Sequence, residues 1–510
     1  MKTTPKPTKQ KKNKLLGRIL LFSLLFLSLL ALYSALWYRK VYGELGFDSI
    51  LFTLFANLNG VENDLILSWM GTALPPSIFL TGIAIVLLGF RSKKQILITI
   101  ANKWKIPVFP VHRVVATVLC LVLSLSLLIQ AAVVSELDAY IANLASLSKV
   151  FEEEYRDPKT TSITFPEEKR NLVYIFMESM ETSYLSKELG GTAAHNLIPE
   201  LYQLAQEHTS FSHNDGVGGF AAIGGDTWTI GAMVSQTAGV PLKMPPDVQG
   251  NDYGEDGTFL PGIYNLTDLL RDNGYYQTLM VGSDAAFGGR KTYYEQHGVD
   301  KIYDLFTARE DGIIPEDYKV WWGFEDKHLY TYAKQELTKI AAQEQPFAFT
   351  MLTVDTHHIG GYVCDLCENT YEEQYENVIS CASRQVSEFL TWLQAQDFYE
   401  NTTVIIVGDH PSMDYGYFSR VTEGEYSRHV YNCFINAPVE AENTQNRSFC
   451  AYDMLPTTLA AMGCTIEGDR LGLGTNLFSQ TPTLLEETNW EIVEEIAKNS
   501  QYYTNQFFFE

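Results

Sequence analysis

The longest apolar runs of this chain lie at its front. Residues 15–38 (LLGRILLFSLLFLSLLALYSALWY), 74–90 (LPPSIFLTGIAIVLLGF) and 114–134 (VVATVLCLVLSLSLLIQAAVV) each approach the roughly 20 residues that cross a bilayer as a helix. They predict a membrane domain, 1–135, with three transmembrane helices. The first run is longer than the roughly 7–15 apolar residues of a signal peptide, and no small-residue cleavage pattern follows it, so a retained anchor is expected. FDSILFTLFANL and DLILSWMGTAL, between the first two runs, are apolar but too short to span. They are expected to lie along the membrane surface. Residues 136–170 predict a juxtamembrane helix and a linker containing Pro158 and Pro166. The stretch 171–510 is long enough for one large α/β domain.

Inside that domain the apolar runs shorten and end on polar clusters. NLVYIFMES stops at Glu178, PFAFTMLTVDTHH stops at Asp355, His357 and His358, and NTTVIIVGDH stops at Asp409 and His410. Short continuous apolar runs followed by polar residues predict buried parallel strands. In an open α/β sheet, ligands bind beyond the carboxyl ends of the strands. Three such ends would pool their carboxylates and imidazoles in one crevice, a donor set suited to a hard or borderline divalent cation. Taken singly, an acid after a strand, such as Glu178, also reads as a helix cap or turn residue. Asp409 and His410 are adjacent behind a five-residue apolar run, where burying them without partners would be costly.

Charge divides the chain at the same place as hydropathy. Residues 1–135 hold 15 Lys and Arg against 4 Asp and Glu, whereas 136–510 hold 22 against 57. The basic residues of the front collect before residue 15 and in the loop 91–113, which the positive-inside rule makes cytoplasmic and which sets the residues after 134 outside. An acidic ectodomain argues against nucleic acid as a partner, because phosphates need a basic footprint, and leaves any anionic substrate to local basic residues. All cysteines but Cys120 (Cys364, Cys367, Cys381, Cys433, Cys450 and Cys464) fall in that external part. Disulfides are the first expectation there, with connectivity open, and the Cys364–Cys367 CxxC has no second pair at zinc spacing.

A nucleophile is offered by GVGGFAAIGGDTWTIGAMVSQTAGVPL (216–242), where glycines give way to a helical pattern at Thr227 to Thr229. Hydroxyls near a helix N-terminus meet free N–H groups and a dipole that favour phosphate. Asp226 and either threonine are equally suited to be an N-cap.

NLVYIFMES, the GGDTWTIGAMVSQTAGVPL block, TVDTHH, VIIVGDH and DMLPTTLAAMGCTIEGDRLGLGTNLFS together resemble the alkaline phosphatase superfamily, sulfatase-like branch. Within it the chain is most similar to the membrane-bound phosphoglycerol transferases that modify periplasmic glucans, with the lipoteichoic acid synthases as cousins in topology. The resemblance implies an α/β sulfatase-like domain with a central, mostly parallel sheet, preceded by transmembrane helices. It implies that Glu178, Thr229, Asp409 and His410 bind one divalent metal, manganese ahead of zinc or magnesium. Thr229 would be the nucleophile, with Thr227 as the fallback. His357 and His358 of the THH motif would sit near the phosphoryl group, His357 acting as general base or leaving-group partner. GSDAAFGGRKTYYEQHG (282–298) resembles the substrate-contact segment of the glucan enzymes and assigns Asp284 and Arg290 to the head group. At the matching positions it lacks the His and Trp that lipoteichoic acid synthases carry. On local chemistry Arg290 also reads as half of a surface salt bridge.

The implied function is transfer of a phosphoglycerol group from phosphatidylglycerol to an envelope glycan or glycolipid through a phosphothreonine intermediate, by an enzyme integral to the membrane. A sulfatase would need a Cys/Ser-x-Pro-x-Arg pattern, and WTIGA lacks it. A phosphoethanolamine transferase shares the threonine and differs in head-group contacts. A non-catalytic envelope protein on the same fold should have lost at least one of Glu178, Thr229, Asp409 and His410.

Overall fold

The computed structural model describes residues 9–43, 46–55, 63–89, 96–100, 104–244, 257–422, 424 and 426–509. The chain divides into two compact units, residues 1–47 with 62–141, and residues 48–61 with 142–510. The first unit is built on helices α1 (Lys9–Tyr42), α3 (Asn63–Gly89) and α4 (Arg113–Val134); a short helix, α2 (Phe47–Phe55), follows α1 in the chain. Leu25, Leu29, Cys120 and Leu127 form the inner contact of this unit, while outward leucines and valines stay exposed. Three of its helical stretches, Leu15–Tyr42, Ile66–Gly89 and Arg113–Val134, are long and apolar enough to cross a membrane.

The segment 64–74, expected along the membrane surface, is instead the first part of α3, which runs through Pro75 and Pro76. A proline pair removes helix donors and reads as a boundary in sequence. Here Ser77 Oγ donates to the Ala73 carbonyl beside the pair. Reciprocal bonds tie α1 to α3: Trp37 Nε1 donates to Ser68 Oγ at 3.1 Å, and Trp69 Nε1 to Ser34 Oγ at 2.9 Å.

The second unit is organised by a seven-stranded sheet. Its strands are β1 (Asn171–Met177), β2 (Gly219–Ala221), β3 (Tyr276–Val281), β4 (Lys301–Tyr303), β5 (Phe347–Leu352), β6 (Thr402–Gly408) and β7 (His429–Ile435), in the spatial order β2-β7-β6-β1-β5-β3-β4. β6, β1, β5, β3 and β4 are parallel; β7 pairs antiparallel with both β6 and β2. Period-two alternation sends successive residues of β1 to opposite faces. Leu172, Tyr174 and Phe176 enter one core and Val173, Ile175 and Met177 the other, which is why the strand is apolar without interruption.

Three further helices of this unit position the site: α5 (Thr229–Ala238), α6 (Asp326–Ala341) and α7 (Gln374–Gln394). Two sequence expectations change here. Phe52 lies not on a membrane surface but in the core of this unit, its ring 5.6 Å from that of Trp228. The expected linker is also partly docked, because Phe151 is buried against Tyr503 and Ile163–Thr164 pairs with Thr465–Ile466.

Candidate active site

Glu178 follows the last residue of β1 and Asp409 that of β6, and the two strands are neighbours, so their carboxylates emerge side by side. Glu178, Asp409 and His410 bring one donor atom each to within 4.8 Å of one another. Gly408 before them admits no side chain, since a Cβ there would stand 1.9 Å from the Met180 carbonyl oxygen. Ser179, at φ +55°, turns the chain sharply after Glu178. Its N–H donates to Asp409 Oδ1 at 2.7 Å, and its hydroxyl to Glu178 Oε1 at 2.7 Å.

Each ligand-capable atom is oriented by its neighbours. Asp409 Oδ1 accepts the N–H of Ser179 and of His410, whereas Oδ2 is buried and without a hydrogen-bond partner among the described residues. That oxygen lies 3.3 Å from His410 Nε2, and Glu178 Oε1 lies 3.7 Å from the same nitrogen. His410 Nδ1 faces the Pro411 carbonyl at 2.9 Å, which puts the proton on Nδ1 and leaves Nε2 as a lone pair directed at the carboxylates. Burial, together with the charge of Glu178, pushes the Asp409 carboxyl well above the usual carboxylate range. A divalent cation would relieve that repulsion and give the orphaned Oδ2 its partner, so these residues fit one.

Thr229 is the first residue of α5, and neither it nor Asp226 caps the helix. The N-cap position is Trp228, while Asp226 Oδ1 accepts the Ile223 N–H. The Thr229 hydroxyl instead reaches into the crevice, 3.4 Å from Glu178 Oε2 and 3.3 Å from His410 Nε2. Thr227, two residues earlier, is half-buried outside this group. Gln236, two turns along α5, donates from Nε2 to the carbonyls of Gly408 and Asp409 and accepts from Tyr174 OH. It locks the helix to the end of β6. Nothing in its sequence neighbourhood distinguishes it from any polar residue on a helix.

The remaining predicted residues divide. His357 follows β5 and presents a half-buried ring whose Nδ1 is 2.8 Å from the His358 carbonyl oxygen. The ring lies between His358, at 4.3 Å, and Trp322, at 4.5 Å. His358 is buried behind it, a wall of the site more than a face. Burial lowers the pKa of His357, against an upward pull from Glu178.

Arg290, beyond β3, is buried and so is no partner in a surface ion pair. Its Nη2 donates to Ser283 Oγ at 3.0 Å and to the Asp284 carbonyl at 2.8 Å, and its Nε has no partner among the described residues. Burial lowers its guanidinium to about 10, with Glu178, Asp284 and Asp409 pulling the other way. The Asp284 carboxylate is taken up by the N–H of Ala286, at 2.8 Å. Asp355 stands apart from the metal-capable group. Its carboxylate accepts the Asp326 N–H while Asp326 accepts those of Val354 and Asp355.

A mostly parallel sheet whose adjacent strand ends gather two carboxylates, an imidazole, a helix-terminal threonine and a buried arginine defines a candidate metal-assisted centre for an anionic ester. Residues 170–464 match the sulfatase family. The chain belongs to that family. It is similar to phosphoglycerol transferase I of Xanthomonas campestris pv. campestris (strain B100), 32% identical over 253 residues that make up 48% of this chain and 34% of that protein. Phosphoglycerol transferase I of Escherichia fergusonii is 29% identical over 267 residues, 51% of this chain and 33% of that protein. The chain therefore matches about a third of the length of these relatives. Among solved structures it is similar to the lipoteichoic acid synthase LtaP from Listeria monocytogenes, at 20% identity and a TM-score of 0.49 over 63% of this chain and 79% of that one.

Proposed function

We propose that this chain is a phosphoglycerol transferase of the cell membrane, with its sulfatase-family domain on the extracytoplasmic side. The donor is an anionic phospholipid, phosphatidylglycerol, and the acceptor is a hydroxyl of an envelope glycan or glycolipid. The observation that carries this reading is the Thr229 hydroxyl, turned towards Glu178 Oε2 and His410 Nε2 at the first turn of α5. The names of the curated relatives and the basic residues before residue 15 and in the loop 91–113 support it.

Glu178, Thr229, Asp409 and His410 would hold one divalent cation, with manganese favoured over zinc or magnesium. When bound, such an ion lowers the pKa of a coordinated hydroxyl and offsets phosphate charge. Thr229 Oγ1 attacks the lipid phosphorus; the new P–O bond forms as the bond to the diacylglycerol oxygen breaks. His357, with its Nδ1 committed to the His358 carbonyl, offers Nε2 to take the hydroxyl proton and return it to the departing diacylglycerol. Arg290 counters charge on the non-bridging oxygens. In the second half the acceptor hydroxyl gives its proton to His357 and attacks phosphorus, and Thr229 leaves and is reprotonated. The apolar helices hold the domain near a donor that lies in the bilayer, which raises its effective concentration.

The test is mass spectrometry of the full chain in detergent with manganese, incubated with phosphatidylglycerol or, separately, phosphatidylethanolamine. A phosphoglycerol adduct on the peptide holding Thr229 is expected. An adduct from phosphatidylethanolamine alone would replace the donor, and no adduct from either lipid would overturn the covalent route.

A further inference from the structure

Away from the catalytic crevice, the loop between β5 and α7 folds back on itself so that three cysteines meet. Cys364 Sγ lies 3.7 Å from Cys367 Sγ and 3.9 Å from Cys381 Sγ, and all three sulfurs are within 4.8 Å of one another. Cys364 and Cys367 form the CxxC turn; Cys381 comes from the second turn of α7 and is buried. A disulfide would join two of these sulfurs and leave the third without a partner, yet Cys364 is about equally close to both of the others. A tetrahedral ion with metal–sulfur bonds of about 2.3 Å spaces its sulfurs about 3.8 Å apart, and the two distances from Cys364 Sγ, 3.7 and 3.9 Å, bracket that value.

Polar groups also converge on Cys381 Sγ. Gln385 Nε2 donates to Cys381 Sγ at 3.3 Å, and Arg384 Nη2 approaches the same sulfur at 3.8 Å while holding the Leu366 carbonyl. Donors aimed at sulfur stabilise its anion and fix its orientation. With three thiolates around a divalent ion the site carries one net negative charge, which Arg384 faces.

We propose that Cys364, Cys367 and Cys381 form a three-thiolate site for one thiophilic cation, zinc, that clasps the loop bearing His357 and His358 to α7. Binding displaces the thiol protons to solvent and forms three metal–sulfur bonds, leaving a fourth position for water. The site is separate from the oxygen- and imidazole-lined crevice and differs from it in ligand chemistry, so the two select different metals. Its role is structural: it closes a short loop whose other end carries His357 and His358.

Cobalt(II) is the probe, because thiolate-to-cobalt charge transfer in the near ultraviolet arises only where sulfur is a ligand. The full chain, purified anaerobically in detergent and carrying Asp409→Asn to silence the other centre, is titrated with cobalt and then with zinc. We expect one cobalt per chain with the charge-transfer band, its displacement by one zinc, and loss of the band in Cys381→Ser. Cys381 is buried, so the half-exposed Cys367→Ala is measured beside it and should also lose the band. A band absent from the parent, or unchanged in Cys367→Ala, overturns the site. So does a disulfide between any two of the three cysteines in protein alkylated within intact cells.

Discussion

The Thr229 hydroxyl stands 3.3 Å from Nε2 of His410, while the other nitrogen of that ring faces the Pro411 carbonyl at 2.9 Å. The imidazole is therefore held from behind, with its lone pair turned to the hydroxyl and to two carboxylates. Replacing Thr229 by Ala should lower lipid turnover by at least about a thousandfold, as loss of a nucleophile does. The side chain is half-buried and its hydrogen bonds are long, so stability should change by no more than about 1 kcal/mol. Diacylglycerol release and thermal denaturation measure the two; wild-type turnover in the variant would remove Thr229 from the nucleophile's role.

Asp409→Asn keeps an acceptor for the Ser179 and His410 N–H groups and removes the charge at the orphaned oxygen. The expected result is an intact fold with manganese affinity reduced by more than about a hundredfold, beyond what loss of an indirect partner usually causes. Elemental analysis after gel filtration reads this directly. Full occupancy in the variant would contradict the ligand set.

Gln236→Met leaves the shape of the side chain largely intact but deprives Tyr174 OH and the carbonyls of Gly408 and Asp409 of their partner. Unpaired buried polar groups cost about 1–3 kcal/mol each. The variant should melt several degrees lower and bind manganese more weakly, with Thr229 still competent at saturating metal. A lower melting temperature with unaltered metal affinity would make Gln236 a packing residue only.

For Arg290→Lys, one nitrogen on a flexible stem replaces a planar fork that reaches Ser283 Oγ and the Asp284 carbonyl together. The charge survives but its direction does not. Turnover should drop by about a hundredfold, the usual loss for one oxyanion donor, with metal content unchanged. Activity within twofold of wild type would place Arg290 outside the transition state.

Stability should also carry a mark of Asp453, a buried carboxyl whose oxygens accept the N–H groups of Cys450 and Thr475. Burial raises it from its ordinary value to about 7, against those hydrogen bonds. A raised folded-state pKa means that the native state holds the proton more tightly than the unfolded chain. The contribution is complete below about pH 4 and is lost as pH rises to about 7, on the order of 4 kcal/mol at most. Asp453→Asn should flatten the fall in melting temperature over that window, and an unchanged slope would show the group to be ionised throughout.

Much of the centre was legible before any coordinates, because β1, β5 and β6 are buried on both faces and must then end on whatever the crevice needs. Glu178, Asp409 and His410 fall where the apolar runs stop, and Thr229 where glycines yield to a helix. What the sequence hid is contact between distant segments. Asp355 ends such a run as plainly as Glu178 does, yet it turns away to pair with Asp326. Length made DLILSWMGTAL look like a separate short segment, yet it continues through Pro75 and Pro76 as one helix, α3. Phe52 and Cys381 lie far in sequence from the residues they touch, and periodicity carries no signal of such meetings. Arg290 read equally as a head-group contact and as half of a surface salt bridge, because nothing local reports burial.

Thr229 is 51 residues from Glu178 and 181 from His410, so this centre has no local precursor. Its parts meet only once β6 has been laid beside β1 and α5 bolted across the end of both. Such late, long-range closure is slow, and it means that a half-folded chain has no assembled centre with which to do chemistry. Capture of the metal can then serve as a stopwatch for the last step of assembly.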